Sequence, residues 1–214
     1  FPDLVSQEEL DKTPKFRPFS SRPKVAPWSP QQTTARTFSG PQSGKSPKTT
    51  ILAIQDLHKH GDLFVNYLKA RHEVFVQHKG WDLPEVDGME FDQYDTPLAR
   101  WIVIHEGPSI LAGIRIAPTT ANCGMHSYML RDAQLGLIPG LPEDALFQSA
   151  PVSPEIWEAT RLFLSKDVPS AQRADVQTQL MKGMAAAARS VGAKKVIGIV
   201  PAVFRRWLKR IGLE

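Results

Sequence analysis

The chain has 214 residues, 42% hydrophobic and 22% charged, with 26 Lys and Arg against 22 Asp and Glu for a net charge of +4. That balance is globular and excludes a wholly disordered or fibrous protein. No stretch approaches the roughly 18 uninterrupted apolar residues of a membrane span, and a single cysteine, Cys123, excludes an internal disulfide framework and fits a reducing, cytoplasmic setting.

Residues 1–48 read as a flexible Pro/Ser/Lys-rich extension. Residues 1–50 hold eight Lys and Arg against four Asp and Glu, together with eight of the 18 prolines. Such a segment buries too little apolar surface to offset its conformational entropy. It has no apolar run of the kind a secretory signal needs, and Phe1 in place of Met reads as a processed or trimmed end. Residues 49–214 form the domain, and from residue 51 onward acids and bases balance at 18 each.

Within the domain, Thr49 to Ile54 reads as a short strand. Asp62 stands where it would cap a helix whose Phe64, Leu68, Arg71 and Phe75 share one face, ending near Gly80. Arg100 to Glu106 and Ile110 to Pro118 are apolar strands joined by Gly107-Pro108-Ser109, a hairpin signal. Trp157 to Leu164 is a further strand. Ser170 then opens a helix burying Val176, Leu180, Met184, Ala187 and Val191, stopped by Gly192. Lys195 to Val200 reads as a buried strand, and Pro201 opens a last helix with Arg205, Arg206, Lys209 and Arg210 on its polar side. This order predicts an α/β three-layer sandwich with helices packed on a mixed central sheet.

Charge inside the domain is sorted. Asp82 to Glu106 holds seven acids and one base, Arg100, while Lys182 to Arg210 holds eight bases and no acid. Two readings stand: solvated faces of opposite sign, or a cationic small substrate near one segment and an acidic macromolecule at the other.

Four ionisable residues occupy positions where a plain core has aliphatic ones: Arg71 on the first helix, Arg115 in the second hairpin strand, and Glu158 and Arg161 in the following strand. A buried unpaired charge costs several kcal/mol, roughly, so such residues persist only when paired or liganded. Snorkelling of Arg71 and cross-sheet salt bridges are the plain account. Nearby, Glu90, Asp92 and Asp95 crowd three carboxylates into Gly88 to Asp95 and need counter-cations. A metal is the weaker reading, because Asp92-x-x-Asp95 lacks calcium-loop spacing and no histidine is placed for zinc.

Arg71-x-x-x-Phe75, Trp81, Glu90-x-Asp92-x-x-Asp95, Arg115 and Glu158-x-x-Arg161, in that order, resemble the signature of the acyl-homoserine lactone synthases, the autoinducer synthases of bacterial quorum sensing. The resemblance covers about residues 50–212. It implies a fold related to the acetyl-CoA-dependent N-acetyltransferases, with no prosthetic group and S-adenosylmethionine as cosubstrate. The α-amine of that cosubstrate attacks the thioester of an acyl group on acyl carrier protein; its carboxylate then attacks its own γ-carbon, closing a lactone and expelling methylthioadenosine. Members of the family start near the equivalent of residue 50 and continue past Gly212 into one more strand, so the domain is expected to be cut short at Glu214.

For that chemistry a carboxylate, or water held by one, must take the amine's proton. Glu158 is the first candidate because a strand holds it firmly, and Glu90 is the second. Arg71, Asp92, Asp95, Arg115 and Arg161 supply the electrostatics of the cosubstrate site, with the two aspartates orienting Arg115 and Arg161 or meeting the sulfonium. Phe75 and Trp81 offer faces for adenine stacking or cation–π contact, or else simply pack the core. Residues three apart in an ideal strand point to opposite faces, so uniting Glu158 and Arg161 requires a β-bulge, expected near Ala159 and Thr160.

Ser170 to Asp175 lacks the glycine-rich turn that cradles coenzyme A pyrophosphate, which favours a carrier protein as donor. Its acidic surface would meet Lys194, Lys195, Arg205, Arg206, Lys209 and Arg210. An acyl-CoA-dependent acetyltransferase-like enzyme and a catalytically silent acyl-ligand binder are the alternatives. No nucleic-acid-binding signature accompanies the basic helix. Val200, where family members favouring 3-oxo chains carry threonine, points to unsubstituted or 3-hydroxy acyl chains.

Overall fold

A computed structural model describes residues 46–138, 140–141, 148–200 and 208–209. Most of the extension expected over 1–48 lies outside the described residues, as do Arg205, Arg206 and Arg210 of the expected last helix. In chain order the elements are β1 (Lys48–Leu52), α1 (Leu63–Arg71), β2 (Glu85–Val86), β3 (Met89–Glu90), β4 (Arg100–Glu106), β5 (Ser109–Pro118), α2 (Met129–Gln134), β6 (Ile156–Leu164), α3 (Arg173–Ser190) and β7 (Lys195–Ile197).

The central sheet runs β1-β4-β5-β6-β7. Its first three pairings are antiparallel and β6–β7 is parallel, so the sheet is mixed as expected. Strands β4 and β5 lie in its interior because both their faces are apolar. Ile102, Ile104, Ile114 and Ile116 pack beneath Val176, Leu180 and Ala187 of α3. On the other face Trp101 and Val103 pack with Leu63, Tyr67 and Leu68 of α1. Helices therefore cover both faces, which makes the expected three layers.

Several boundaries differ from the sequence reading. Strand β1 stops at Leu52, since Ala53 leads into a 3₁₀ turn over Ile54–Lys59. The first helix is α-helical only to Arg71 and continues as a π-helix over His72–His78, and the Asp62 side chain makes no capping bond. Helix α3 begins at Arg173, leaving Ser170 outside it, and β7 ends at Ile197, so Val200 lies beyond the strand it was expected to close. The β2–β3 hairpin and α2 were not expected.

The expected bulge is present, one step further along. Gly113 pairs with Phe163 and Arg115 with Thr160, so Arg161 and Leu162 together oppose Ile114 alone. Arg161 takes a positive φ of 54°, uncommon for any residue other than glycine. The extra residue resets the alternation. Trp157, Ala159, Leu162 and Leu164 pack toward α3, whereas Glu158, Thr160, Arg161 and Phe163 all turn to the α1 face.

Gly113 lets α1 approach that face: a Cβ there would stand 2.5 Å from the Tyr67 ring and 2.7 Å from Phe163. Gly113→Ala is expected to cost about 1–3 kcal/mol by overpacking, measured as a lower Tm; an unchanged Tm would show that the helix does not rest on this glycine.

Candidate active site

Each charged residue singled out from the sequence arrives on a different element. The end of α1 delivers Arg71, β5 delivers Arg115, and the β6 bulge delivers Arg161. Glu90 closes β3, and the following loop carries Asp92 and Asp95. That loop is a self-bonded turn: the Tyr94 amide donates to Asp92 Oδ1 at 2.9 Å and the Asp92 amide to Asp95 Oδ2 at 2.9 Å.

The six side chains form one network. Arg71 donates to Glu90 at 2.6 Å and to Asp95 at 2.8 Å. Arg115 grips Asp92 with two nitrogens, at 2.5 and 3.1 Å, reaches Asp95 at 2.9 Å, and donates from Nε to Thr160 Oγ1 at 3.0 Å. Arg161 spans Glu90 at 3.1 Å and Asp92 at 2.8 Å. Trp101 adds an indole N–H to Asp95 at 2.9 Å. Arg71, Arg115 and Glu90 are 0% exposed. Three cations and three anions cancel, and several guanidinium N–H groups find a carboxylate, which is what burial of ions demands.

Protonation follows from the pairing. Burial would raise Asp95, but the Arg115 and Arg71 guanidinium groups outweigh it and hold the carboxyl well below the usual range. Asp92 is likewise lowered, burial being overcome chiefly by Arg115. All three acids are paired with arginines. Among the described residues no group of His, Cys, Asp and Glu gathers as a metal site.

Glu158 differs. It is 2% exposed, sits on the same face, and among the described residues has no arginine partner. It accepts instead from two backbone amides that open α2, Met129 N–H at 2.9 Å and Leu130 N–H at 2.7 Å. Burial pushes its carboxyl up to about 7, against the lowering effect of the two amides and of Arg115.

An aromatic pair borders the network. Phe75 and Trp81 stack at 5.1 Å between centroids, and Arg161 lies 5.7 Å from the Phe75 ring. Phe75 is buried, while Trp81 is 45% exposed and offers a ring to solvent. The Lys79 ammonium stands 4.6 Å from the Trp81 centroid and 5.0 Å from that of Phe75, its pKa lowered by burial. The aromatic seat therefore accepts a cation.

The other expected residues stand apart. Lys194 is exposed and paired with Glu155 at 2.6 Å; Lys195 and Lys209 are exposed. Val200 is exposed beyond β7. Sequence reasoning missed Thr160, Trp101, Tyr94 and Asp132. Tyr94 donates its hydroxyl to the buried Asp132 at 2.8 Å. The word Asp92-Gln93-Tyr94-Asp95 carried a signal for Tyr94, whereas Asp132 had none beyond a polar residue in an unassigned loop.

Residues 55–214 match the sequence profile of a family described as autoinducer synthase. An acyl-homoserine-lactone synthase of Ralstonia solanacearum is 34% identical over 150 residues, which cover 67% of this chain and 68% of that one. The solved structure of the acyl-homoserine lactone synthase LasI is similar with a TM-score of 0.63 and 26% identity over 80% of each chain. A CoA-dependent acyl-homoserine lactone synthase, BjaI, solved with S-adenosylmethionine and isopentyl-CoA, shares the fold with a TM-score of 0.61 and 23% identity, over 77% of this chain and 72% of that one.

Arg115→Met leaves Asp92 and Asp95 without their shared cation, and about 3–5 kcal/mol of stability is expected to go at pH 7. Asp95 is lowered on folding, so its pairing stabilises fully above the unfolded value of 3.8 and is lost as pH falls below it. Urea unfolding is therefore expected to separate mutant from parent at pH 7 and bring them together in acid; equal stability at pH 7 would contradict the pairing.

Proposed function

The chain belongs to the autoinducer synthase family, and from that membership we propose that it makes N-acyl-L-homoserine lactones for quorum sensing, with Glu158 as the base. The observation that carries the reading is the division among the four carboxylates singled out from the sequence: Glu90, Asp92 and Asp95 are committed to arginines, and Glu158, pushed up to about 7 by burial, is left free to move a proton.

The substrates are S-adenosylmethionine and an acyl group in thioester linkage. Glu158, directly or through water, takes a proton from the α-amine, which attacks the thioester carbonyl; the C–N bond forms and the thiol departs. The methionyl carboxylate oxygen then bonds to the γ-carbon and the sulfonium leaves with its electron pair as methylthioadenosine. Phe75 and Trp81 receive the sulfonium or the adenine, a role in which the Lys79 ammonium stands for the cation. Glu90, Asp92 and Asp95 act by holding Arg71, Arg115 and Arg161 in place. A base is most effective with a pKa near the working pH, and a value of about 7 meets that condition.

The donor in this proposal is acyl carrier protein. No glycine lies between Ser170 and Asp175. Arg173 turns its guanidinium onto the carbonyls of Val168 and Lys166, and Asp175 stands in the first turn of α3, unfavourable company for a pyrophosphate. Lys195 and Lys209 are exposed for an acidic carrier. Both substrates of this kind place the reaction in the cytoplasm. The CoA-dependent relative keeps an acyl-CoA donor as the second reading.

The test is incubation of the protein with S-adenosylmethionine and either acyl carrier proteins or acyl-CoAs, reading methylthioadenosine and lactone. Lactone from the carrier at the higher kcat/KM is expected, and preference for acyl-CoA would overturn the donor. Glu158→Gln is expected to lower kcat by about 10²–10⁴-fold. For the parent protein, kcat/KM should rise with pH through about 7 as Glu158 ionises. Full activity of Glu158→Gln would remove it as the base.

A further inference from the structure

We propose that Asp132 is a positioning residue that locks the base Glu158 and the carboxylate loop into one rigid unit through α2. The proposal rests on the reading of Glu158 as the base. Asp132 is 0% exposed, takes no part in the arginine network, and performs no step of the reaction. A buried carboxylate without a cation is costly unless its oxygens are filled with donors, and here they are. Ser127 gives Oδ1 its hydroxyl at 2.7 Å and its backbone N–H lies 3.1 Å from both oxygens; Tyr94 donates its hydroxyl to Oδ2 at 2.8 Å, and His126 Nδ1 lies 3.1 Å away.

Those donors come from two directions. Ser127 sits just before α2, so its bonds to Asp132 fix the entry of the chain into the helix. The next amides, of Met129 and Leu130, are the ones aimed at Glu158. Tyr94 belongs to the carboxylate loop; its own amide donates to Asp92, and its ring lies 5.7 Å from the Arg115 guanidinium. One carboxylate thus ties the amides on the base to the loop that organises the arginines. The Tyr94 hydroxyl is held in its protonated form by burial and by the bond to Asp132, which makes it a dependable donor.

The charged and titratable groups facing Glu158 are Arg115 of β5, Asp92 of the loop and Tyr128 at the start of α2; those facing Asp132 are Tyr94, His126 and Tyr128. Amide donors favour the ionised carboxylate. If α2 drifts from Glu158, the base becomes harder to ionise, while a loss confined to the loop link disturbs substrate binding instead. The two defects have different kinetic signatures.

Asp132→Asn, Ser127→Ala and Tyr94→Phe are to be compared with the parent in pH profiles of kcat/KM for lactone formation, with Tm measured on each. Asp132→Asn is expected to move the acid limb up by about one unit, a tenfold loss on that limb, and Ser127→Ala to move it the same way by less. Tyr94→Phe is expected to raise KM for S-adenosylmethionine and leave the limb in place. A merely structural Asp132 would lower Tm with the limb unmoved, and that result overturns the proposal. Should Asp132→Asn not fold, an unmoved limb in Ser127→Ala overturns it equally. Residual activity of Glu158→Gln separates the two readings: a limb surviving there defeats the base assignment and this proposal with it, whereas a limb abolished there but unmoved by Asp132→Asn and Ser127→Ala defeats the positioning role alone.

Discussion

Three guanidinium groups and three carboxylates behind one face of a sheet are tolerable only if every charge meets its opposite. Leaving one out strands an ion at a cost of several kcal/mol, roughly. The network therefore constrains the fold around it. Arg71 has to arrive from a helix, Arg115 from the middle of a strand and Arg161 from the next strand. An unbroken β6 would send Arg161 to the wrong face, so the positive φ at Arg161 and the bulge it creates are part of the same solution. The π-helix after Arg71 belongs here too: it follows directly on the arginine and carries the buried Phe75 to the network's edge.

With the three arginines taken up by Glu90, Asp92 and Asp95, the hydrogen-bond partners of Glu158 among the described residues are backbone amides. Two neutral donors satisfy its oxygens without offsetting its burial as a cation does. That difference in partner separates Asp92 and Asp95, whose carboxyls are held low, from Glu158, whose carboxyl burial pushes up to about 7. The same carboxyl placed beside an arginine would be held ionised, so the proposed role as base rests on Glu158 having no arginine partner among the described residues.

Much of this was legible in the sequence. The strands around Gly107-Pro108 read correctly because both are apolar and joined by a hairpin turn, and α3 because its apolar residues recur at helical spacing. Arg71, Arg115 and Arg161 stood out as charges at core positions, and the nine spaced residues named the family. The bulge followed from asking how Glu158 and Arg161 could share a face. What was hidden depends on tertiary contact. Helix α2 is six residues long with no side-chain bond from its N-cap Tyr128; it is held by Asp132 reaching back to Ser127, a pairing that local propensity does not encode. The end of β7 at Ile197 is tertiary as well: a side chain at Gly198 would meet the Ala159 carbonyl at 2.7 Å, so β6 and the segment after β7 touch in a way strand periodicity does not show.

The central claim is that Glu158 is the buried carboxyl poised near neutrality. A carbon-13 NMR titration of the side-chain carboxyls, with Glu158→Gln to assign the resonance, measures this directly. The account predicts a Glu158 carboxyl titrating at about 7. A Glu158 midpoint near 4, in the range of an ordinary exposed glutamate, would contradict it.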